Sequence, residues 1–388
     1  MAPLTEDEVR RWRAHAQGLY GDAAGARTVL DAVRLSGGLQ AQDAKACRLQ
    51  VWARTRPADA AGTSAAGAAP TAADVDAACG ADRREVVRTW LMRGTLHAVA
   101  AGDARWLTAL LGPRVADSYR GRRQRLGLDE DLCARALPVL EKVLAGCAPV
   151  TRDELVRRLA AAGVAVDPRG QAAAHLVLYA AARGVLCRGP ETAGDSSTYV
   201  LREEWLEHVP DTGPRGDEAL AELAVRHATA YGPASAADLA RWSGLPLGSA
   251  RRGQAAAGDR LTEVAGPAGP LVTATGTGPP PPAADRVRLT GHFDPYLLGY
   301  ADRDLLLAPA IAPRIATGGG FLMPCVLVDG AVVATWRHER RADHLTLRVE
   351  PLPTPTPPPD LTEPLTTATT DLARFLDVPT RWEWTEEA

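Results

Sequence analysis

Lysine is nearly missing from this 388-residue sequence: Lys45 and Lys142 are the only two, so basic charge is carried almost wholly by arginine. Few side chains are left that can form a Schiff base. The six cysteines stand singly at positions 47, 79, 133, 147, 187 and 325, without CxxC or Cys/His spacing. That pattern argues against a zinc site and a disulfide framework and fits reduced thiols in a cytoplasm. No apolar run reaches the roughly 20 residues that span a bilayer, and the amino-terminal MAPLTEDEVRRW lacks the apolar centre of an export signal. A soluble, unexported, cytoplasmic protein without membrane contact is expected. A net charge of −3 rules out a basic field over the whole molecule, so any nucleic-acid contact has to come from local patches. No Ser/His/Asp set and no phosphate-binding glycine loop stands out, and neither a cofactor nor a metal is expected.

What is present suits a globular chain of two to four units: 46% hydrophobic and 23% charged residues, with 36 glycines and 30 prolines placed as loops rather than as a repeat. Thr5 and Glu8 form a capping box, and Val9, Trp12, Ala16 and Leu19 fall on one helical face. A second helix, Thr28 to Leu35, stops at Gly37-Gly38, and helical character resumes from Ala44 to Arg54. Ala58 to Pro70 is Ala/Gly/Ser/Pro-rich and is expected to be a mobile loop. Thr71 with Asp74 opens another helix. Val86 to Val99, broken at Arg93-Gly94, predicts two strands joined by a tight turn. Helices followed by such a hairpin make a winged helix.

The pattern returns twice. Thr151 and Glu154 form a second capping box, Gln171 to Arg183 is a helix closed by Gly184, and Val185 to Arg188 with Thr198 to Leu201 supply a second hairpin. Helices at Asp217 to Tyr231, Ser235 to Ser243 and Leu247 to Ala257, then a strand at Leu261 to Val264, form a third unit. Gly266 to Ala284 is expected to be a low-complexity connector, stiff at Pro279 to Pro282. Beyond it the period changes to two, with Asp329-Gly330 as a hairpin turn, and Pro351 to Pro359 begins a loose tail that Arg374 and Trp382 are placed to dock. The expected fold is mainly α with β (α+β): three tandem winged-helix units plus a small C-terminal β-rich domain. Boundaries are expected at residues 1–112, 113–210, 211–284 (unit and connector) and 285–388.

Two features carry chemistry. Gln40 and Gln42 flank Ala41 between the Gly-Gly break and the Ala44 helix, at a structured corner. By themselves they read as ordinary polar residues at a helix start, and only their context raises the catalytic reading. Asp43 beside them is either a water-activating carboxylate or a first-turn residue favoured by the helix dipole, and Lys45 either a lyase amine or a surface charge. Arginines cluster at 120, 122, 123 and 125, at 251 and 252, and at 337, 340 and 341 beside His338. Guanidinium forks suit phosphate oxygens, although such clusters also merely solvate a surface. His97 reads as a satisfied buried or wing residue, and Trp90 and Trp106 as core. Asp294 and Asp302 read as turn residues with a local ion pair.

Gln40-Ala41-Gln42, VRTWLMRGTLHAV running into GDARWLTALLGPR, then GHFDPYLLGYADRD and LVDGAVVATWR occur in an order that resembles the winged-helix DNA glycosylases of the AlkZ type. The resemblance covers nearly the whole chain. It implies a curved channel around DNA, catalysis by a glutamine-aliphatic-glutamine motif falling on Gln40 and Gln42, and a hairpin that reaches toward the duplex, here Trp336 to His344 or Glu191 to Thr198. Gln42, rather than an acidic residue, places the chain with the self-resistance branch. The expected activity is that of a monofunctional glycosylase hydrolysing the N-glycosidic bond of bulky or crosslinked N-alkylpurines of the N7-alkylguanine type. Double-stranded DNA carrying alkylated purines is the partner, met by a monomer. Arg122, Arg123, Arg251, Arg252, Arg337, His338, Arg340 and Arg341 are the expected DNA contacts. The other reading is a non-enzymatic tandem winged-helix DNA-binding protein, a regulator or damaged-DNA binder.

Overall fold

A computed structural model describes residues 2–21, 25–55, 68–192, 196–318 and 320–385. Most of the loop expected at Ala58 to Pro70 lies outside the described residues. At the start of α1 (Glu6–Ala16) the Thr5 hydroxyl accepts from the Glu8 amide while the Glu8 carboxylate accepts from Thr5, the reciprocal box the sequence predicts. Thr28 caps α2 (Val29–Leu35). Gly37 and Gly38, both at positive φ, then turn the chain into β1 (Leu39–Gln40), a two-residue strand where the sequence suggests a plain loop. Asp43 caps α3 (Ala44–Arg54), accepting from the Ala46 amide at 2.9 Å. A second full capping box, Thr71 with Asp74, opens α4 (Ala72–Cys79). β2 (Val86–Trp90) and β3 (Leu96–Ala100) form the expected hairpin, turning at Arg93 with φ 56° and Gly94 with φ 78°.

The second stretch comprises α5 (Ala101–Ser118), α6 (Arg120–Arg125), α7 (Glu130–Leu144), β4 (Val150–Thr151), α8 (Arg152–Ala161), α9 (Ala172–Ala182), β5 (Leu186–Arg188), β6 (Thr198–Leu201) and the single turn α10 (Arg202–Trp205). α5 runs through Pro113, so a helix joins the first stretch to the second. Thr151 caps α8, but only its hydroxyl takes part, because the Glu154 carboxylate turns instead to Arg157 and Arg158. The two hairpins meet where β2 pairs with β5 at Arg88 and Arg188, giving one six-stranded sheet in the order β1-β3-β2-β5-β6-β4.

The third stretch is α11 (Gly216–Tyr231), α12 (Ala236–Ser243), α13 (Leu247–Ala257), β7 (Leu261–Gly266) and β8 (Gly269–Ala274). Here the expected connector is corrected: the first part of Gly266 to Ala284 is a strand, and β7 and β8 pair along their length as a third hairpin. The carboxy-terminal stretch holds β9 (Val287–Thr290), α14 (Pro295–Leu298), α15 (Ala312–Ile315), β10 (Cys325–Val328), β11 (Ala331–Arg340), β12 (Leu345–Pro351), α16 (Thr362–Leu376) and β13 (Thr380–Trp384). Its strands lie in the order β13-β12-β11-β10-β9, and Asp329-Gly330 forms the predicted two-residue turn with both φ positive. The loose tail is likewise corrected, since α16 buries Leu365, Leu372 and Phe375 and β13 adds to the sheet parallel to β12.

Two cores result among the described residues. The first unites α1 to α4, α11, α12 and the five-stranded sheet. The second is confined to residues between Val115 and Tyr199. Across the first core runs a fully enclosed ion pair: Arg54 Nη1 and Nη2 donate to the two Asp294 carboxylate oxygens at 2.9 and 2.8 Å, with Gln17 Oε1 accepting from Nη2 at 3.0 Å. Asp294 therefore pairs across 240 positions and not locally as its sequence context suggests. Asp302 does act as a turn residue, accepting from the Asp304 amide.

Removing one partner of such a pair leaves a bare charge in the interior, which costs about 3–5 kcal/mol. Asp294→Ala is therefore expected to lower the unfolding free energy by about that amount. The double variant Arg54→Met/Asp294→Leu should recover most of the loss, as denaturant titration of the three proteins would show.

Candidate functional site

Gln40 closes β1, and its Cα partner on β3 is His97. The Ala41 amide donates to the Leu96 carbonyl at 2.8 Å, so Ala41 and Leu96 form the hydrogen-bonded pair of the ladder. Gln40 and His97 then form the alternate pair, whose side chains stand closest together on one face. Ala41 points into the core at 2% exposure, Gln40 is buried at 6% exposure and Gln42 is exposed, so the small middle residue anchors a corner at which one amide lies just inside the surface and the other on it. Gln40 Nε2 donates to Gln42 Oε1 at 3.2 Å. That bond consumes one donor and one acceptor. It leaves the Gln40 side-chain carbonyl oxygen and the Gln42 amino group without a partner among the described residues, an acceptor and a donor side by side.

The corner is held from behind. Gln50, wholly enclosed on α3, donates through one nitrogen to the Gln40 backbone carbonyl at 3.0 Å and to the His292 carbonyl at 3.2 Å. Arg54 Nη1, one turn on, donates to the Gln50 carbonyl at 3.1 Å and to Asp294. A continuous polar chain thus links the candidate catalytic backbone to the segment between β9 and α14. Gly291 in that segment admits α3 closely, for a Cβ there would lie 2.8 Å from the Leu49 Cβ.

Histidines surround the corner without serving it as acids. Burial, aided by Arg93, pushes His97 down to about 3, and its Nδ1 lies 2.9 Å from the Thr95 carbonyl. It is a neutral, satisfied ring, as its sequence context suggests; its place beside Gln40 depends on strand register and could not be read from sequence. His338 on β11 is lowered chiefly by burial and further by His292 and Lys45, with Asp43 opposing. Those partners bring β11, and with it the Trp336 to His344 hairpin, alongside the start of α3. The other candidate hairpin also flanks α3: Pro190, Glu191 and Thr192 line a cavity of about 300 Å³ with Ala44, Cys47 and Arg48, while residues 193–195 at its tip lie outside the described residues. Asp43 takes the helix-capping role, and Lys45 is exposed.

The arginines divide. Arg251 and Arg340 are exposed, and Arg122 is partly exposed with its Nη2 donating to Gln171 Oε1 at 2.6 Å. Arg252 pairs with Asp217 at 2.8 Å, Arg337 with Glu350 at 3.4 Å and Arg341 with Glu339 at 3.5 Å, all on open surface. Arg123 is corrected: only 2% exposed, it donates to the Ala116 carbonyl at 2.6 Å and lies 4.5 Å over the Tyr179 ring, so it packs the second core and cannot reach phosphate. Trp106 is core as expected, whereas Trp90 is only partly buried. Among the described residues no group of three or more His, Cys, Asp or Glu could hold a metal ion, and no helix is long and apolar enough to cross a membrane. Sequence reasoning missed Gln50, which has no local signal, and His292, whose only signal was its place in GHFDP.

Residues 33–375 match the family model described as DNA glycosylase AlkZ-like. A protein described as an interstrand DNA cross-link repair glycosylase, from Streptomyces sahachiroi, is 32% identical over 269 residues, covering 65% of this chain and 70% of that one. The solved structure of Streptomyces sahachiroi DNA glycosylase AlkZ superimposes with a TM-score of 0.78 at 26% identity, covering 99% of this chain and all of that one.

The buried histidines set a pH dependence. Burial lowers His97 to about 3 and His227 to about 4, from an ordinary 6.5. Below 6.5 the unfolded chain takes up protons that the folded chain refuses, so stability falls as pH drops from 6.5 toward 3 to 4. The melting temperature should decline through that window. His97→Gln should flatten the decline, and an unchanged slope would show that His97 is not held neutral.

Proposed function

This chain belongs to the AlkZ-like DNA glycosylase family, and from that premise we propose that it hydrolyses the N-glycosidic bond of bulky N-alkylpurines of the N7-alkylguanine type in double-stranded DNA, interstrand crosslinks among them. The observation that carries this reading is the pair of amides at Gln40, buried just inside the surface, and Gln42, exposed, joined by a hydrogen bond, with Gln50 holding the Gln40 backbone. A purine alkylated at N7 is already cationic, so its glycosidic bond breaks toward an oxocarbenium ion without an enzymatic acid. What remains is to place water and to stabilise charge on the sugar. The free Gln40 side-chain carbonyl suits an oxocarbenium ion or a water proton, and the Gln42 amino group suits the water oxygen. An amide is no general base at neutral pH, which restricts the enzyme to labile, cationic lesions; neutral lesions such as uracil are poor substrates.

The three helix-and-hairpin stretches are read as winged helices that bend around the duplex, as a monomer acting in the cytoplasm. The DNA contacts proposed are Arg122, Arg251, Arg252, Arg337, His338, Arg340 and Arg341, with the β11–β12 hairpin as the element that enters a groove. A crosslinked base is tethered to the opposite strand and cannot be flipped, so its sugar must be reached from the groove. With Gln42 present, the role favoured is repair of, or self-resistance to, a DNA-alkylating natural product, and a monofunctional reaction without a lysine adduct. Family membership removes the basis for a non-enzymatic regulator.

Gln40→Ala and Gln42→Ala should each slow release of 7-methylguanine from duplex DNA by about 10²-fold or more while leaving DNA affinity nearly unchanged. Wild-type rates in both variants would sink the assignment. Arg340→Ala and Arg122→Ala should weaken binding to every sequence, and the slope of log affinity against log salt should fall by about one for each phosphate no longer neutralised.

A further inference from the structure

Only three phenylalanines occur in the chain, and two of them, Phe293 and Phe321, meet beside the glutamine corner. Their rings stand nearly perpendicular with centroids 5.3 Å apart, and the His292 ring lies 4.8 Å from Phe321. Phe321 is 38% exposed, one of three large apolar side chains the described surface leaves open. Phe293 sits at φ 58°, a left-handed conformation that bulky L residues adopt only where their surroundings force it. The force is visible on both sides. The His292 carbonyl is held by Gln50, and Asp294 is clamped by Arg54, so the residue between them is held in that conformation against its own preference. His292 Nδ1 lies 3.0 Å from the Leu322 carbonyl, which ties the Phe321 segment to the same place.

We propose that His292, Phe293 and Phe321 form a stacking ledge that takes the face of a nucleobase next to the lesion. This rests on the reading of Gln40 and Gln42 as the catalytic pair. Position supports it, because one Gln50 nitrogen bonds the backbone carbonyls of both Gln40 and His292, which sets the backbone that carries the ledge beside the backbone that carries the glutamine pair. Charge supports it as well. His338 and Lys45 stand at the ledge and offer cationic or polar partners to the backbone of a stacked strand, which a purely apolar protein partner would leave unmatched. The ledge is open on one side, so it supports a neighbouring base rather than enclosing a flipped one.

The test uses the full-length protein and a duplex with one 7-methylguanine flanked by 2-aminopurine, whose fluorescence reports stacking. Wild type should quench the flanking base on binding. Phe321→Ala and Phe321→Leu should both lose the quenching and bind about tenfold more weakly, as expected for the loss of one stacked base. Phe321→Trp should retain both properties. Leucine restores apolar bulk but no π face, so full affinity in Phe321→Leu would mean simple packing and overturn the ledge. Unchanged quenching and affinity in Phe321→Ala would overturn it too, as would an effect confined to adducts that carry an aromatic group of their own. Wild type that binds the duplex yet releases no 7-methylguanine would instead refute the glycosylase reading, whatever residue 321 does.

Discussion

The geometry around Gln40 depends on a charge that has no access to water. Arg54 and Asp294 are both enclosed, and an isolated ion of either kind would be driven out of the interior by its desolvation cost. Together they persist in a bidentate arrangement with most of their remaining hydrogen-bonding sites filled, here by Gln17, by the Gln50 carbonyl and by the Tyr296 amide, while Arg54 Nε has no partner among the described residues. That demand fixes α3 against the entrance to α14 with little tolerance in distance or rotation. Leucines in the same place would hold the elements together as strongly but would let them slide. Gln50 lies one turn from Arg54 on the same helix, so the constraint passes directly to the backbone of Gln40.

Rigidity of this kind suits a catalyst whose functional groups are dipoles. A carboxylate can act over several ångströms and reorient as charge develops, whereas an amide contributes only when it already points at the atom that needs it. The hydrogen bond between Gln40 and Gln42 ties the two side-chain amides to one another, and Gln50 ties the Gln40 backbone to α3. Neutral His97 completes the arrangement. Beside a developing sugar cation a protonated imidazole would be repulsive, and burial prevents it from forming at any physiological pH. The proposed chemistry therefore has no titrating group at its centre, in keeping with a leaving group that brings its own positive charge.

Local rules made much of this fold legible, and where they failed the reasons are specific. Capping boxes at Thr5 and Thr71, the Asp329-Gly330 turn and the Arg93-Gly94 break involve neighbours in sequence, so their chemistry is visible in the string. β8 escaped because its burial rises in blocks from exposed Gly269 and Pro270 to buried Thr273 and Ala274, without the alternation that marks a half-buried strand. α16 escaped because TTATT favours strands and turns. It is helical because Leu365, Leu372 and Phe375 are buried, while Thr366, Thr369 and Thr370 return their hydroxyls to carbonyls four residues earlier. Gln40 and Gln42 were legible as a motif, but not the support given by Gln50, since a contact between α3, β1 and residue 292 depends on three-dimensional register alone.

The arginines meet the same limit. Arg122 and Arg123 are adjacent and chemically identical, yet one faces outward and the other stacks on Tyr179 inside the second core. Helical periodicity turns successive residues by about 100°, which lets one of two neighbours face the core while the other faces away. Phe293 is partly buried, and a strained backbone in the place of periodicity sets where it stands. It meets the 38% exposed Phe321, whose open ring is the apolar surface that the stacking proposal covers. At this edge, beside the two amides, the only surface of matching flatness that the proposed reaction itself delivers is the face of a base.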